Sequence, residues 1–450
     1  MRFIPNNRPV IQEMLAEMGV SGLDTLFASI PEAVRLRRGL DLPDGMAETD
    51  QLRLLGEMAA RNHTRPERTF LGGGSYPHFS PLLADALIQR GEFLTSYTPY
   101  QPEISQGTLQ AIFEFQTFMT MLTGMDVANA SMYDGASATA EAVLLAERAG
   151  KDRAGMLLAE TLHPHYRAVI ETHTRFLEFP RASLPMHPDT GQLDLDALDQ
   201  ALDGQTACVV VQQPNFLGVV EDIAAIAGRV HAAGALLIVA VNEALSMALL
   251  EPPGKLGADL VAGEAQSFGL PLNYGGPYLG FMAVQEKFMR QIPGRIAGRT
   301  VDQEGRPGFV LTLSTREQHI RRERATSNIC TNQNLMMLAA LMHLTLLGRE
   351  GLAQAARQNV SLMAYLRQEL ATLPGFTPAL SGAVFNELTL RCPLPAAQVV
   401  AQCAAAEVVP GLDLGRVSPA WENLLLVNVT ETKRREDVDA LVDALKGVRV

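Results

Sequence analysis

The stretch "ALLIVAVNEALSMALLEPPGKLGADLVAGEAQSFGL", residues 235–270, decides the fold class. It contains two continuous apolar runs, "ALLIVAV" and "ADLVAG", and each is followed at once by polar residues. Continuous apolar runs of this length are typical of strands that are buried on both faces of a sheet. The stretch therefore predicts two interior strands, whose ends present Asn242 and Gln266.

The same alternation of apolar strands and helices extends over residues 130–290. Strands separated by amphipathic or small-residue helices indicate an α/β fold with a parallel or mixed sheet covered on both faces. Before it, residues 1–60 are predicted to be amphipathic helices closed by Gly or Pro, and 105–123 a largely buried helix. We expect a helical segment at 1–60, a large α/β domain at 61–325 and a small C-terminal α/β domain at 326–450.

Composition excludes several classes of protein. The formal net charge of −12 argues against a nucleic-acid or anionic-membrane partner, because such partners require a basic face. No run approaches the roughly 20 apolar residues of a membrane span, and the N-terminus does not have the pattern of a secretory signal. The cysteines form no CxxC pair, which predicts reduced thiols and no metal site; they are Cys208, Cys330, Cys392 and Cys403. We expect a cytoplasmic protein.

Four positions along the large domain could carry chemistry. Ser137, in "YDGASATAEA", begins a helix whose free N–H groups could hold a phosphate, or the motif is an ordinary helix N-cap. His163 follows a strand and could stack on a cofactor ring, or it caps the next helix. Asn242 stands where a strand-end acid would pair with a protonated ring nitrogen. Gln266 and Ser267 stand where a nucleophilic lysine would lie.

The order of these positions resembles that of fold-type I enzymes that use pyridoxal phosphate (PLP). The spacing from Asn242 to Gln266 is the usual one from acid to lysine, but neither ionisable group is present. Lys255 and Lys287 lie before and after the turn, and the other three lysines are Lys151, Lys433 and Lys446. Because Gln and Ser supply no amine, this chain alone is expected not to bind PLP covalently.

Four longer sequence motifs are more specific than these single positions. "SYTPYQPEISQGTLQAIFEFQT", "LTGMDVANASMYDGASATAEA", "GADLVAGEAQSFGLPLNYGGPYLGF" and "RRERATSNICTNQ" closely resemble the N-terminal half, or separate α chain (subunit 1), of glycine decarboxylase, the P-protein of the glycine cleavage system. The resemblance covers residues 1–445. It implies that the lysine is carried by a separate PLP-binding β chain (subunit 2), in an α2β2 assembly. In that family glycine is decarboxylated and its aminomethyl group passes to the lipoyl arm of H-protein.

The resemblance makes the missing lysine a family feature and suggests two roles for this chain. Its vestigial cofactor site would contain Ser137, His163, Asn242 and Ser267, with Gln266 hydrogen-bonding in place of the lysine. The loop "YTPYQPEIS" could reach the partner's active site through Tyr97, Tyr100, Gln101, Pro102, Glu103 and Ser105, or it could be an interface loop that does not touch substrate. Cys330, in "RATSNICTNQ", is expected to be a buried packing residue.

Other interpretations remain at this point. A stand-alone PLP enzyme would need one of the five lysines at its active site. A purely structural partner would stabilise the catalytic chain without contributing an active-site group. A nicotinamide-binding dehydrogenase is excluded because no GxGxxG motif follows a first strand.

Overall fold

Two compact units divide the chain, residues 1–64 and residues 65–450. The computed structural model describes residues 5–62, 65–150, 153–329 and 333–449, and for Arg316 the backbone only. The first unit contains helices α1 (Arg8–Glu17) and α2 (Glu48–Ala59), with two short 3-10 turns between them. None of its described residues is buried, so this part of the first unit has no hydrophobic core of its own.

The second unit contains three sheets and eleven helices among its described residues. Its helices are α3 (Leu82–Ile88), α4 (Gly91–Leu94), α5 (Gln106–Thr123), α6 (Gly135–Gly150), α7 (Pro164–Thr174), α8 (Leu195–Ala201), α9 (Ile223–Ala232), α10 (Gln318–Arg321), α11 (Asn334–Leu370), α12 (Ala396–Ala404) and α13 (Arg435–Lys446). Its strands are β1 (Val127–Ala128), β2 (Gly155–Ala159), β3 (Arg181–Leu184), β4 (Thr206–Gln212), β5 (Leu236–Val241), β6 (Leu260–Glu264), β7 (Gly280–Val284), β8 (Ile296–Val301), β9 (Pro307–Thr312), β10 (Thr377–Pro378), β11 (Glu387–Arg391), β12 (Leu412–Asp413) and β13 (Leu424–Asn428).

The large sheet has seven strands in the order β1-β7-β6-β5-β4-β2-β3. Strands β3, β2, β4, β5 and β6 run parallel, whereas β7 and β1 are antiparallel to their neighbours. Every residue of β4 is buried, as its continuous apolar run predicts. Because side chains alternate along a strand, Val209 and Val211 pack with α5, α9 and α11 on one face, whereas Cys208 and Val210 pack with α6 and α7 on the other. The predicted mixed α/β sheet, covered on both faces, is confirmed.

A smaller antiparallel sheet, in the order β10-β11-β13-β12, forms a second core with α12, α13 and the end of α11. Helix α11 is long and apolar enough to cross a membrane by length and composition, a test that buried core helices also pass. Thirteen of its residues are buried, and Gly348, with φ 58° and ψ −172°, interrupts it. Strands β8 and β9 form a separate hairpin, which the sequence pattern did not predict because neither strand is a continuous apolar run.

Candidate functional site

The carboxyl ends of the parallel strands bring together three of the predicted site residues. His163 follows β2, Asn242 follows β5 and Gln266 follows β6 by two residues. All three are buried. In open parallel sheets this edge is where ligands usually bind, so what occupies the space around these side chains decides what the site can do.

The Gln266 side chain is hydrogen-bonded to the backbone of this chain through both its oxygen and its nitrogen. Its Oε1 accepts the Tyr76 N–H at 3.0 Å, and its Nε2 donates to the carbonyls of Tyr76 at 2.9 Å and Leu270 at 2.7 Å. The neighbouring Ser267 is also buried, and its hydroxyl has no hydrogen-bond partner within the described ranges. At the place of a lysine, the chain therefore carries a neutral amide that holds a distant segment against the sheet.

That segment, the glycine-rich stretch 72–76, fills the space beside His163 and Asn242. Nε2 of His163 donates to the Gly73 carbonyl at 2.7 Å. Gly74 has φ +111°, and a Cβ there would lie 2.7 Å from His163 Nε2 and 2.8 Å from Asn242 Nδ2. Only glycine can adopt this backbone and approach so closely. The Gly73–Gly74 backbone thus lies against the Nε2 edge of the His163 ring and close to the Asn242 amide.

His163 is a helix cap in this structure. Its Nδ1 accepts the His165 N–H at 3.1 Å at the start of α7, while Nε2 bonds to Gly73. Burial lowers the pKa of His163 to about 4, against the opposing effect of the Gly73 carbonyl. The neutral ring with its proton on Nε2 satisfies both contacts, so His163 joins the loop to the sheet and is not placed as an acid or base.

The N-terminus of α6, where the sequence suggested a phosphate, is occupied by carboxylates of the chain itself. Glu264 Oε2 accepts the Gly135 N–H at 3.0 Å, and its Oε1 accepts the Leu279 N–H at 2.7 Å. Asp134 accepts the Ser137 N–H at 2.7 Å, which is the N-cap alternative for this motif. Burial raises the pKa of Glu264 to about 7. The residues present do not fit a phosphate here, because an internal carboxylate already uses the helix N-terminus.

A buried cluster that the sequence pattern did not reveal lies directly after the glycine-rich stretch and connects the chain there to both sheets. His78 Nε2 lies 2.9 Å from Glu243 Oε2, and His78 Nδ1 lies 2.8 Å from Glu431 Oε2. Asn386 donates to the same Glu243 oxygen at 2.6 Å. Burial alone would lower the pKa of His78, but the two carboxylates outweigh it and raise the pKa to about 10. His78 is therefore an imidazolium that bridges two buried carboxylates.

A third carboxylate, that of Glu387 at the start of β11, completes this attachment. It accepts the Gly73 N–H at 2.6 Å and the Tyr76 hydroxyl at 2.8 Å. Burial raises the pKa of Glu387 to about 7. Nothing in the sequence pairs these groups, since Glu387 and Gly73 are 314 residues apart. The strand-end edge is thus a closed structural network that joins the large sheet, the glycine-rich stretch and the small sheet.

The tyrosine loop, residues 97–105, differs from this edge in being largely exposed. Tyr97 is 78% and Tyr100 55% exposed. Gln101 and Glu103 are also exposed, whereas Pro102 and Ser105 are half-buried where a 3-10 turn leads into α5. The predicted loop residues thus lie together on one largely exposed segment. His163, Asn242 and Gln266, in contrast, are buried at the strand-end edge.

A small group of polar side chains supports Tyr100. Arg295, which is buried, donates from Nη2 to the Tyr100 hydroxyl at 3.4 Å, and its guanidinium carbon lies 5.6 Å from the centre of the Tyr100 ring. The His319 ring packs edge-on against the same tyrosine, with 5.8 Å between centroids. Nothing in the sequence pattern singled out Arg295, because it is nearly 200 residues from the loop.

The lysines and cysteines lie in ordinary structural settings. Lys255, Lys287 and Lys446 pair with carboxylates of Glu251, Asp259 and Asp443, and Lys433 donates to the Pro66 carbonyl. Cys208, Cys392 and Cys403 are buried, and burial raises the pKa of each thiol to about 11 or 12. Lys151 and Cys330 lie outside the described residues, so the prediction for Cys330 stays a prediction.

Known proteins match this chain along its whole length. The family model of the glycine cleavage system P-protein matches residues 1–445. The probable glycine dehydrogenase (decarboxylating) subunit 1 of Rhodospirillum centenum is 51% identical, and that of Methylocella silvestris 50%; each alignment covers 100% of both chains. A crystal structure of glycine decarboxylase (P-protein), in inhibitor-bound form, superposes with a TM-score of 0.89 at 42% identity, covering 99% of both chains.

More distant structures share the fold alone. They are sphingosine-1-phosphate lyase from Burkholderia pseudomallei (TM-score 0.66, 17% identity, 93% and 95% coverage) and glutamate decarboxylase from Lactobacillus brevis (TM-score 0.69, 12% identity, 94% and 99% coverage). The fold is that of the PLP-dependent transferases, as the order of the four positions along the sequence indicated. The full-length matches establish more than the fold: the chain belongs to the glycine cleavage system P-protein family.

Proposed function

We propose that this chain works as subunit 1 of glycine dehydrogenase (decarboxylating), as the names of its full-length relatives describe. The observation that carries the proposal is the turn after β6. At that turn this P-protein family chain has Gln266 where an amine would be needed. The Gln266 side chain is hydrogen-bonded to the backbone of Tyr76 and Leu270. A subunit with this turn needs a second chain to supply the Schiff-base lysine.

The partner is accordingly a PLP-binding subunit 2, in an α2β2 assembly. In the overall reaction the carboxylate of glycine leaves as CO2, and the electron pair of the broken C–C bond forms a C–S bond to the oxidised lipoyl group of H-protein. The S–S bond breaks, and the second sulfur takes up a proton. PLP supplies the electron sink for the decarboxylation when bound to the partner. The complex is proposed to be cytoplasmic, with no nucleic-acid or membrane partner.

The tyrosine loop is the part of this chain that we propose to enter the partner's active site. Tyr97, Tyr100, Gln101 and Glu103 expose hydroxyl, amide and carboxylate groups that could contact substrate across the interface, and Pro102 limits the loop to few conformations. Ser105 precedes α5, which anchors the loop in the large core. The alternative is a loop that packs in the interface without touching substrate.

The vestigial site keeps a structural role in this proposal. His163, Asn242 and Gln266 surround the glycine-rich stretch, and the segment containing Ser137 is capped by Asp134. Ser267 is buried beside Gln266. These residues maintain the shape of the fold where a catalytic chain would hold its cofactor.

The direct test is glycine–CO2 exchange in the presence of PLP and lipoylated H-protein. It would be measured on this chain alone, on the lysine-bearing partner alone and on the mixture, and the visible absorbance of lysine-bound PLP would be recorded for each. Exchange in the mixture only, with no such absorbance from this chain, supports the proposal. Exchange or PLP absorbance from this chain alone would instead require one of the five lysines to act, and would overturn it.

A further inference from the structure

A small cavity opens between the tyrosine loop and the start of helix α11. Its volume is about 210 Å3, smaller than the cavities that hold drug-sized ligands, which are about 300–1,000 Å3. Residues 96–99 of the loop region line one side, Arg295 lines another, and Gln333, Asn334 and Leu335 line the end formed by the helix. A cavity of this size suits a ligand of a few non-hydrogen atoms.

Arg295 brings an incompletely paired positive charge to this cavity. The residue is 6% exposed, and its Nε has no hydrogen-bond partner within the described ranges. The nearest carboxylate oxygen, on Glu317, lies 3.8 Å from Nε, which is an ion-pair distance but too long for a hydrogen bond. The hydrogen bond from Nη2 to the Tyr100 hydroxyl is weak, at 3.4 Å. A buried guanidinium with unused donors favours an oxyanion, because its planar fork matches one.

The second independent feature is the N-terminus of α11. The helix is 37 residues long, and its N-cap, Gln333, makes no side-chain capping bond. No acidic residue lies in the first turn, and within the described ranges no side chain accepts a hydrogen bond from the first backbone N–H groups. The Asn334 Oδ1 atom is also buried, without a hydrogen-bond partner among the described residues; since the amide can be turned over, its NH2 group can face the cavity as a donor.

These donors converge on one class of ligand. A guanidinium, a helix N-terminus, an amide and the hydroxyls of Ser96 and Thr98 all surround the same small space, and all can donate to negatively charged oxygen. The only acidic side chain found close to the guanidinium in the described part of the chain is Glu317, which does not line the cavity. We propose that the Arg295 cavity binds a small oxyanion, either a carboxylate or a phosphate group.

The first experiment titrates the full-length chain alone with acetate, with glycine and with inorganic phosphate, by calorimetry at low ionic strength. Saturable binding is expected for a carboxylate, for phosphate or for both, and the comparison identifies the source of the oxyanion. Arg295→Gln is expected to weaken binding at least about tenfold, because it removes a charge-assisted interaction. Arg299→Gln is the matched control, since Arg299 is an exposed arginine on β8, the strand that begins directly after Arg295, and this variant should bind as the wild type does.

A second variant separates binding from folding, because Arg295 is buried and its loss could unfold the chain. Asn334→Asp places an acid in the first turn of α11, which stabilises a helix but repels an anion in the cavity. Weaker binding with an unchanged or raised melting temperature supports the proposal. If no ligand binds saturably, or if Arg295→Gln and Asn334→Asp both bind like the wild type, the proposal is wrong. No partner subunit is present in this titration, so its outcome is independent of the exchange assay.

Discussion

The strand-end edge of the large sheet and the tyrosine loop use polar residues in opposite ways. At the strand-end edge His163, Asn242 and Gln266 are buried, and they hold a segment of the same chain. On the loop Tyr97 and Tyr100 are exposed, and next to it Arg295 has a donor without a hydrogen-bond partner in the described part of the chain. The comparison indicates that the strand-end edge, where this fold usually binds its cofactor, has a structural role in this chain. The polar groups that a second molecule could contact lie on the tyrosine loop and at Arg295. The predictions below test each side of it.

The largest effect is expected at His78. His78→Gln would leave Glu243 and Glu431 without their shared cation, and breaking a buried pair of this kind costs roughly 3–5 kcal/mol in the free energy of unfolding. Chemical denaturation would measure it, with the exposed His187→Gln as control. A variant as stable as the wild type would mean that the strand-end network contributes little to folding.

The same histidine sets a pH dependence. The pKa of His78 is about 10 in the folded chain, above the usual 6.5 of an unfolded chain. The stability that protonated His78 contributes to the folded chain is therefore fully present below pH 6.5 and is lost as the pH rises towards 10. The free energy of unfolding should fall over this window more steeply in the wild type than in His78→Gln. Parallel pH profiles for the two proteins would contradict the assignment of the charge to His78.

Restoring a lysine would not restore a cofactor site. Gln266→Lys would break the hydrogen bonds to Tyr76 and Leu270 and bury an amine, at a cost of about 3 kcal/mol. Because the glycine-rich stretch fills the space, added PLP should produce no visible absorbance band. Gln358→Lys, on an exposed face of α11, is the control for the added charge. A stable, yellow Gln266→Lys protein would show that the edge can still accept the cofactor.

A smaller effect is expected at Gly74. Gly74→Ala forces an alanine to φ +111° and directs its Cβ towards His163 and Asn242, so it should destabilise the chain by roughly 1–3 kcal/mol. Gly228→Ala, in the exposed middle of α9, should instead stabilise it by about 0.5–1 kcal/mol. Thermal unfolding of both variants would measure the contrast. Equal melting temperatures would indicate that the stretch can move away from the sheet.

The smallest effect tests the other region. Tyr100→Phe removes one hydroxyl from the exposed loop and should lower glycine–CO2 exchange by the assembled complex about tenfold, or about 1.4 kcal/mol. Assembly, measured by size-exclusion chromatography, should not change. Tyr365→Phe is the matched control, because it removes a hydroxyl that bonds only to Asp439 in the described part of the chain. Full activity in Tyr100→Phe would favour the loop as a packing element without substrate contact.

The contrast between the two regions also explains what could be predicted from sequence. The interior strands β4, β5 and β6 are visible because each is a continuous apolar run, and the missing lysine is visible because it is one residue at a known spacing. The position of the glycine-rich stretch at the strand-end edge could not be predicted, because Gln266 and Tyr76, which are hydrogen-bonded, are 190 residues apart in the sequence. The same holds for Arg295 and Tyr100, across 195 residues. Edge strands such as β1 were missed because two residues carry no periodic signal.

The interruption at Gly348 has a mechanical consequence. Before it, α11 packs in the core of the large sheet through Met337 and Leu341; near its end, Met363 and Leu366 belong to the core of the small sheet. The part of α11 after Gly348 therefore contacts both cores, because Leu352 and Ala356 still pack in the core of the large sheet. A displacement of the small sheet would therefore load the large core directly at Leu352 and Ala356, some distance along the helix from its N-terminal end at the Arg295 cavity.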